Sequence, residues 1–578
     1  MKLINRIISN EINFSLYTLF FILFVYSNVI AFLLQVIILP NYFSHWVNEF
    51  GLLNQTDSIL YHNLAIELSN KINNFGWSHW ELMADTNRHF IVGWTALFYT
   101  LIYPEPWVMI PFNAFVHALS GVILARIAFF FTKDWRVAFL AIMPYVFYPS
   151  ALMWISQLLK DGYFNLGVIL FCYGWMILAT ENFPTKKLKC FIPPLIFILL
   201  GYVLMGIVRP YTLYVMRMES IIFIVLILLF STYMFFKKAI NFQKFFKKII
   251  FCIICFFALK VMIITLSESN IAQHDQIEHF DLELNVTEEE LDQLIVSLET
   301  HLAKLKDVCC DMIICEKDEA GMNLCLAKIG VEQSIDSSKL GKLQDSISLY
   351  KSQLRSHQKY RDHIKKYITA SKKQALEDSN YKNNNKEEKI LKNFRGFKNS
   401  IYTDGFFWES TNWLPESFDT KLSALAGVRK QQIQRHLKSG RGRSMIDTDI
   451  TFNDAIDILM YIPRASQIAF LSPFPGMWFA EGSTESGSIM RKISMFEMIY
   501  IYIALVFLPL ALWRWKMKPE LWVAIIYSYS MLLFFSMSFP NIGTLYRYRY
   551  AFLMIIITIA LIYFFSFIEK YYKKDINE

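Results

Sequence analysis

The stretch FSLYTLFFILFVYSNVIAFLLQVIILP, residues 14–40, decides the class of fold. It holds no charged side chain and is longer than the roughly 20 residues that an α-helix needs to cross a bilayer. Lys2 and Arg6 precede it, but it is too long for the core of a signal peptide, and no small-residue cleavage pattern follows it. Because 54% of the 578 residues are hydrophobic, the chain is predicted to be an integral membrane protein with an uncleaved first helix.

Ten apolar runs are long enough to span a membrane. They lie near residues 15–39, 108–131, 137–155, 163–180, 190–208, 219–236, 249–266, 494–513, 521–538 and 551–567. A further run, from His89 to Tyr103, is short and ends at Pro104-Glu105-Pro106, so it is predicted to be an interfacial helix. The predicted fold is therefore an all-α polytopic membrane protein with about ten transmembrane helices.

The distribution of basic residues between the runs supports a count of ten. Every second loop should carry the Lys and Arg excess that marks the cytoplasmic side. With ten spans these segments are all basic: Met1–Asn13, Thr132–Arg136, Glu181–Lys189, Lys237–Lys248, Arg514–Lys518 and the tail with Lys570, Lys573 and Lys574. Counting residues 89–103 as a span would place all of them except the first outside. Both termini are therefore predicted to be cytoplasmic, and the net charge of +8 reports orientation rather than nucleic-acid binding.

This topology divides the chain into three parts. They are an N-terminal membrane domain (1–266, with an outside loop at 40–107), a large, mainly α-helical extracytoplasmic insertion (267–491) and a C-terminal membrane domain (492–578). Within the insertion, apolar residues repeat at alternating spacings of three and four, which predicts a helical hairpin over 285–370. A polar linker (371–393) and an aromatic, membrane-proximal part (394–491) follow. The hairpin could bind a protein partner.

Four of the eight cysteines crowd into the connection of the predicted hairpin: Cys309, Cys310, Cys315 and Cys325. In an oxidising compartment they could form two disulfides, in which adjacent Cys309 and Cys310 each take a different partner. A zinc site is the alternative, although paired Cys-x-x-Cys spacing is missing. Elsewhere no ligand spacing is diagnostic of a metal, but acidic residues could serve a divalent cation.

The segment DSILYHNLA, residues 57–65, follows the first span on the outside. Asp57, Tyr61 and Ala65 are spaced by four residues, so they share one face of a helix that begins near Thr56 or Asp57. A carboxylate close to the bilayer could act as a general base on a membrane-embedded substrate. The alternative is that Asp57 only caps the helix through its side-chain oxygen.

Other candidates lie at the outside ends of predicted spans. In Gln157-Leu158-Leu159-Lys160-Asp161, the lysine could meet a phosphate and the aspartate could meet a sugar hydroxyl or orient the lysine. Three arginines in outside turns lie beside tyrosines and could bind phosphate oxygens: Arg209, Arg547 and Arg549. The alternatives are solvated turn charges for the first group and snorkelling anchors for the arginines. A mixed charge run in the insertion is interpreted as a solvated face: Arg441, Arg443, Asp447 and Asp449.

The order of several short motifs is similar to that of a known family. They are Asp57-x-x-x-Tyr61-x-x-x-Ala65, the helix ending at Tyr103-Pro104, Phe112-Asn113-Ala114, Asp134-Trp135-Arg136-Val137-Ala138, Pro149-Ser150, Gln157 and Lys160-Asp161. In this order the chain resembles the GT-C superfamily of integral membrane glycosyltransferases, especially bacterial enzymes related to protein mannosyltransferases and the lipid A aminoarabinose transferase. The resemblance covers residues 1–215, with a weaker similarity at 472–478 and 541–549.

The resemblance implies an enzyme of the bacterial inner (plasma) membrane that takes a sugar from a polyprenyl-phosphate carrier on the extracytoplasmic face. Asp57 would then deprotonate a hydroxyl of a glycan, lipid or protein acceptor, with inversion at the anomeric carbon. The same resemblance assigns the donor phosphate to Lys160, Arg209, Arg547 and Arg549. Residues that would orient the substrate are Tyr61, Gln157 and Asp161.

Other functions are alternatives. A lipid-linked polysaccharide polymerase or ligase would depend on the arginines rather than on Asp57. A flippase should carry charged residues inside its spans, yet few are found there and these lie near the ends: Arg126, Lys260 and Glu497. A non-catalytic scaffold for envelope assembly would act through the hairpin.

Overall fold

The computed structural model describes residues 16–54, 56–83, 89–180, 192–237, 242–270, 408–411, 413–438, 442–482 and 485–577. Within these ranges the regular secondary structure is helical, apart from two isolated β-bridges, Val47 with Leu53 and Met445 with Asn541. The predicted hairpin, the polar linker and the four clustered cysteines lie outside the described residues.

Sixteen of the seventeen α-helices in the described residues are numbered here; the other, Leu39–Tyr42, continues the first. In chain order they are α1 (Leu16–Phe32), α2 (Asp57–Phe75), α3 (Phe90–Leu101), α4 (Ile110–Thr132), α5 (Trp135–Phe147), α6 (Pro149–Ile155), α7 (Asp161–Ala179), α8 (Ile192–Val208), α9 (Thr212–Phe236), α10 (Phe242–Asn270), α11 (Glu416–Lys438), α12 (Ala455–Leu471), α13 (Glu485–Trp515), α14 (Pro519–Ser538), α15 (Ile542–Tyr548) and α16 (Tyr550–Asn577). The first helix continues through a π-helical segment, Leu33–Ile38, to Tyr42.

Seven stretches within the described residues are long and apolar enough to cross a membrane. They are Leu16–Tyr42, Pro106–Thr132, Asp161–Ala179, Val215–Phe236, Gly487–Trp515, Pro519–Ser538 and Tyr550–Lys570, and each coincides with a predicted span. The pair α5 and α6 forms an eighth candidate, a broken span bent by 63°. The two remaining predicted spans, near residues 190–208 and 249–266, coincide with α8 and α10, which are not among the seven. The membrane class is thereby confirmed, whereas the count of ten and the sides of the termini stay predictions.

A proline causes the break between α5 and α6. The residue before a proline is driven towards extended backbone, and Tyr148, which precedes Pro149, has φ −61° and ψ 129°. Pro149 then occupies the first turn of α6, where its missing N–H costs nothing. The chain is redirected at this bend, and α6 delivers the segment from Gln157 to Asp161 to the start of α7.

The helix α16 lies at the centre of the membrane domain. Every residue from Tyr550 to Ile562 is buried, as expected of a helix that is apolar on all sides. Its packing partners include α5, α13 and α14. The short helix α15 immediately precedes it, so Arg547 and Arg549 are held at the end of a rigid element.

Glycines let α7 and α8 approach closely. A Cβ on Gly201 of α8 would lie 2.6 Å from the backbone nitrogen of Phe171, and one on Gly174 of α7 would lie 2.7 Å from the Ile198 side chain. Small residues are the usual means of close helix packing in membranes. This contact holds the end of α8, and therefore Arg209, against the start of α7.

The segment that returns to the membrane domain after the insertion packs on α14 through α11 and α12. Asp447 accepts bonds from Arg464 Nε at 2.9 Å, Arg464 Nη2 at 3.0 Å and the Tyr461 hydroxyl at 2.8 Å. These bonds hold the pKa of Asp447 below its ordinary value, although burial acts to raise it. Buried Arg429 donates to the carbonyls of Asp447 and Met537. The interpretation of this charge run as a solvated face is therefore wrong at Asp447, whose side chain is 13% exposed.

Candidate functional site

The ends of α7, α8 and α15 bring one carboxylate between two arginines. Asp161 Oδ1 accepts from Arg209 Nη2 at 2.6 Å, and Asp161 Oδ2 accepts from Arg547 Nε at 3.1 Å and Nη2 at 2.8 Å. Arg547 Nη2 also reaches Asp57 Oδ2 at 3.3 Å. We call Asp57, Asp161, Arg209 and Arg547 the ion-pair cluster.

Exposure differs sharply across the ion-pair cluster. The side chains of Asp161 and Arg209 are 1% and 2% exposed, whereas those of Arg547 and Asp57 are 24% and 52% exposed. A buried charge is tolerated when it is paired, and Asp161 is bonded by both arginines. The cluster therefore has a closed inner pair and an open outer pair.

Arg209 forms the floor of the cluster. Its guanidinium lies between two aromatic rings, 4.3 Å from the centroid of Phe164 and 3.5 Å from that of Tyr548. Its Nε and Nη1 atoms are buried without a hydrogen-bond partner in the protein. Because it is covered by protein, Arg209 holds Asp161 and is not in a position to contact a substrate directly.

The position of Asp57 excludes the simple capping interpretation. The helix α2 begins at Asp57, so Thr56 is the N-cap residue. The Thr56 hydroxyl donates to the carbonyl of Leu53 at 2.7 Å instead of capping the helix. The predicted face is present, since Tyr61 and Ala65 are 2% and 0% exposed. Asp57 lies at the open end of this face and contacts Arg547.

Lys160 lies beside the ion-pair cluster and forms a hydrogen bond with a histidine. Its ammonium donates to His89 Nδ1 at 2.9 Å and lies 5.9 Å from the ring centroid of Tyr61. Burial, and secondarily Arg209, lower the pKa of Lys160 to about 8, although Asp161 and Asp57 act to raise it. Lys160 is therefore a cation near neutral pH that can lose its proton under mildly basic conditions.

The open arginine is held in its charged form. Burial acts to lower the pKa of Arg547, but Asp161 and Asp57 outweigh this effect and raise it above the ordinary value. Burial also raises the pKa of the Tyr61 phenol, and Asp57 adds to that shift. Tyr61 thus lines the site as a neutral phenol and does not act as an acid or a base.

Gln157 anchors the loop that leads to Asp57 instead of facing a substrate. Its Oε1 accepts from the backbone nitrogen of Leu53 at 2.9 Å, and its Nε2 donates to the carbonyl of Gly51 at 3.1 Å. Gly51 has φ +70°, and a Cβ there would lie 1.9 Å from the carbonyl oxygen of Gln35. The loop is therefore pressed against the π-helical segment of the first span and fixed from the other side by Gln157.

Gln157→Leu is expected to loosen this loop while leaving the membrane helices in place. The backbone groups of Gly51 and Leu53 would lose their partners, at a cost of about 1–3 kcal/mol for each buried unpaired group. Amide hydrogen exchange over residues 51–57 should accelerate and the melting temperature should fall. Asn63→Ala, on the exposed side of α2, is the matched control and should change neither quantity. Unchanged exchange in Gln157→Leu would contradict the anchoring role.

Arg549 does not join the ion-pair cluster. It is fully buried and donates to the carbonyls of Ile468 and Ala469, and to both oxygens of Ser472. These contacts tie the start of α16 to the end of α12. Arg549 thus has a structural role that accounts for its burial, and we do not include it among the phosphate ligands.

Glu497 is a buried polar residue that sequence reasoning passed over as a charge near a helix end. It is 2% exposed and accepts from the Ser150 backbone nitrogen and hydroxyl, each at 2.8 Å, and from the Tyr546 hydroxyl. Tyr546 immediately precedes Arg547. Glu497 therefore fixes α15 to the bend at α6. This contact helps to hold Arg547, on α15, close to Asp161, which follows α6.

A cavity near the start of α7 is too small for a sugar or a lipid. Its volume is about 20 Å³, which suits a single water molecule. Two unpaired polar atoms belong to residues that line it, His117 Nε2 and Asn165 Oδ1. This cavity therefore offers no room for a substrate of that size.

Among the described residues, no three or more His, Cys, Asp or Glu side chains come together in a group that could hold a metal ion. The two carboxylates of the cluster, Asp57 and Asp161, are both bonded by Arg547. Their arrangement does not fit a cation between them.

The cluster combines a half-exposed carboxylate with cations that can meet an anion. Asp57 can accept a proton, while Arg547 and Lys160 can bind an oxyanion. When protonated Lys160 is counted with the ion-pair cluster, three cations and two carboxylates leave one net positive charge. Comparison of the chain with protein-family models, with curated proteins and with solved structures finds no match.

Proposed function

We propose that this protein is a membrane glycosyltransferase of the bacterial plasma membrane. It would move a sugar from a polyprenyl-phosphate donor to an acceptor hydroxyl on the extracytoplasmic face. The observation that carries the proposal is the Arg547 guanidinium, which joins half-exposed Asp57 to buried Asp161. A potential proton acceptor and a potential phosphate ligand thus lie within one contact of each other.

The chemistry is a single displacement. The acceptor oxygen bonds to the anomeric carbon, the bond from that carbon to the phosphate oxygen breaks, and the electron pair leaves with the lipid phosphate. Asp57 takes the proton of the acceptor hydroxyl. Arg547 and Lys160 stabilise the charge that grows on the phosphate as it departs. Asp161 and Arg209 hold Arg547 in place.

Charge supports a monophosphate carrier. A sugar linked to a polyprenyl chain through one phosphate is a phosphodiester with a single negative charge. The net positive charge of the cluster together with Lys160 matches this charge, whereas a diphosphate-linked sugar would bring a larger negative charge. Arginine adds geometric preference, because its fork can bind two oxygens of one phosphate.

An exposed apolar surface at the end of α3 suits a lipid-linked substrate. At the end of α3, three consecutive large apolar residues are more than half exposed: Leu101, Ile102 and Tyr103. A contiguous exposed apolar surface of this kind is typical of a segment that lies in a membrane interface. A polyprenyl chain could lie along such a surface while its phosphate reaches Arg547 and Lys160.

Donor binding is expected to weaken as the pH rises through about 8. The pKa of Lys160 is lowered to about 8, so its positive charge is present below that pH and is lost above it. The probe is a synthetic polyprenyl phosphodiester, whose own charge is constant between pH 6.5 and 9.5. Wild-type affinity should fall by up to about tenfold per pH unit above 8.

Lys160→Gln provides the control for this titration. It should bind the probe about as weakly at pH 7 as the wild type does at high pH. Its affinity should not depend on pH between 6.5 and 9.5. An equal pH dependence in both proteins would assign the titration to another group and contradict the role of Lys160.

The experiment that tests the function is consumption of lipid-linked sugars. Purified protein in liposomes is given a panel of polyprenyl-phosphate sugars together with acceptor-containing membranes, and release of polyprenyl phosphate is measured. The proposal expects one donor to be consumed by wild type and by Glu67→Gln, a control on the exposed face of α2. If no donor in the panel is consumed, the scaffold alternative, with a partner for the hairpin, is favoured.

A further inference from the structure

Arg547 holds its two carboxylates unequally. It makes two bonds to buried Asp161, at 3.1 and 2.8 Å, but a single bond to Asp57, at 3.3 Å. The Asp57 side chain is 52% exposed. Exposed ion pairs are weak, so the contact with Asp57 is the one that a competing anion can replace. Asp161 would keep the guanidinium in position during that exchange.

This contact also limits Asp57 as a base. One oxygen of its carboxylate accepts a bond from Arg547 Nη2, so a lone pair that could take a proton from a hydroxyl is already engaged. The other two hydrogen bonds that Arg547 donates go to Asp161, so they do not free the Asp57 oxygen. The proton acceptor is therefore partly masked by Arg547.

We infer that the donor phosphate and Asp57 compete for Arg547, so that donor binding unmasks the base. This inference rests on the proposed function and assigns its regulation to a contact within the same site. The phosphate of the donor takes the exposed edge of the guanidinium, where two N–H groups can meet two phosphate oxygens. Asp57 is released and becomes free to accept a proton from the acceptor hydroxyl.

The exchange imposes an order on the reaction. An acceptor that arrives before the donor finds one oxygen of Asp57 engaged by Arg547 and no leaving group in place. Once the phosphate has replaced Asp57, base and leaving group are both in place. No new covalent step is involved, because only hydrogen bonds to Arg547 are exchanged before the displacement.

The test is a double-mutant cycle on binding rather than on activity. A sugar-free polyprenyl phosphodiester is titrated into wild type, Asp57→Asn, Arg547→Gln and the double variant, each in phosphatidylcholine nanodiscs. We expect Asp57→Asn to bind the probe about five to ten times more tightly than wild type, because the internal competitor is gone. In the Arg547→Gln background, the same change at Asp57 should have no effect on affinity.

Each outcome separates competition from simpler explanations. Equal or weaker binding by Asp57→Asn overturns the inference. Tighter binding in both arginine backgrounds also overturns it, since removal of a negative charge would then act without Arg547. If Arg547→Gln binds the probe as well as wild type does, the proposed phosphate site itself is wrong. Glu67→Gln, which removes a distant charge on α2, should bind like wild type, and melting temperatures check that each variant is folded.

Discussion

Asp57→Asn is expected to lower the rate of sugar transfer by about 10²–10⁴-fold, the usual contribution of a positioned general base. Asparagine has the same shape but cannot take the proton of the acceptor hydroxyl. Folding should be unaffected, because Asp57 is half exposed and Thr56, not Asp57, is the N-cap of α2. Initial rates of polyprenyl-phosphate release measure the loss, and the melting temperature checks the fold.

The variant Arg547→Ala distinguishes a glycosyltransferase that uses Asp57 as its base from a polymerase or ligase that depends on arginine. Transfer that survives Asp57→Asn but is lost in Arg547→Ala would contradict a base role and favour a polymerase or ligase that depends on arginine. Loss in both variants, with donor still bound by Asp57→Asn, is the pattern expected here. Asp57→Glu should retain measurable activity, since the carboxylate is present but displaced by one methylene.

Asp161→Asn is expected to damage both stability and activity. Asp161 is 1% exposed and bonds both Arg209 and Arg547, so removal of its charge leaves a buried guanidinium without a counter-ion. Loss of one partner of a buried pair typically costs about 3–5 kcal/mol. The melting temperature in detergent should fall by many degrees, and donor binding should weaken because Arg547 is no longer held.

Two matched variants test that explanation. Glu67→Gln breaks an exposed pair with Lys71 and should cost less than about 1 kcal/mol. Arg209→Met, added to Asp161→Asn, removes the unpaired buried charge and should restore part of the lost stability but not the activity. A melting temperature for Asp161→Asn within the range of the exposed-pair control would contradict the buried ion pair.

Local patterns in the sequence predicted much of this molecule. Within the described part of the chain, run length identified all seven stretches that are long and apolar enough to cross a membrane, and a spacing of four residues placed Asp57, Tyr61 and Ala65 on one helical face. Asp161, Arg209 and Arg547 were also singled out, because charged residues at the ends of apolar helices stand out from their surroundings. Each of these inferences used neighbours along the chain.

Pairing across the chain could not be predicted in the same way. Asp161 and Arg547 are separated by 386 positions, and Glu497 and Ser150 by 347. Both contacts depend on how α15 and α13 return to the bend at α6. Whether a polar residue faces a substrate or the protein also depends on that packing. For this reason Gln157 and Arg549 were assigned to the substrate from sequence, yet they hold backbone carbonyls in the fold.

The anomeric configuration of the product tests the central claim most directly. The donor that wild-type protein consumes is prepared with a defined anomeric configuration, and the product is examined by NMR before it can be modified further. Direct attack of an acceptor hydroxyl deprotonated by Asp57 predicts complete inversion. Retention of configuration would require two successive displacements or attack on the face of the leaving group, and would contradict direct displacement with Asp57 as the general base.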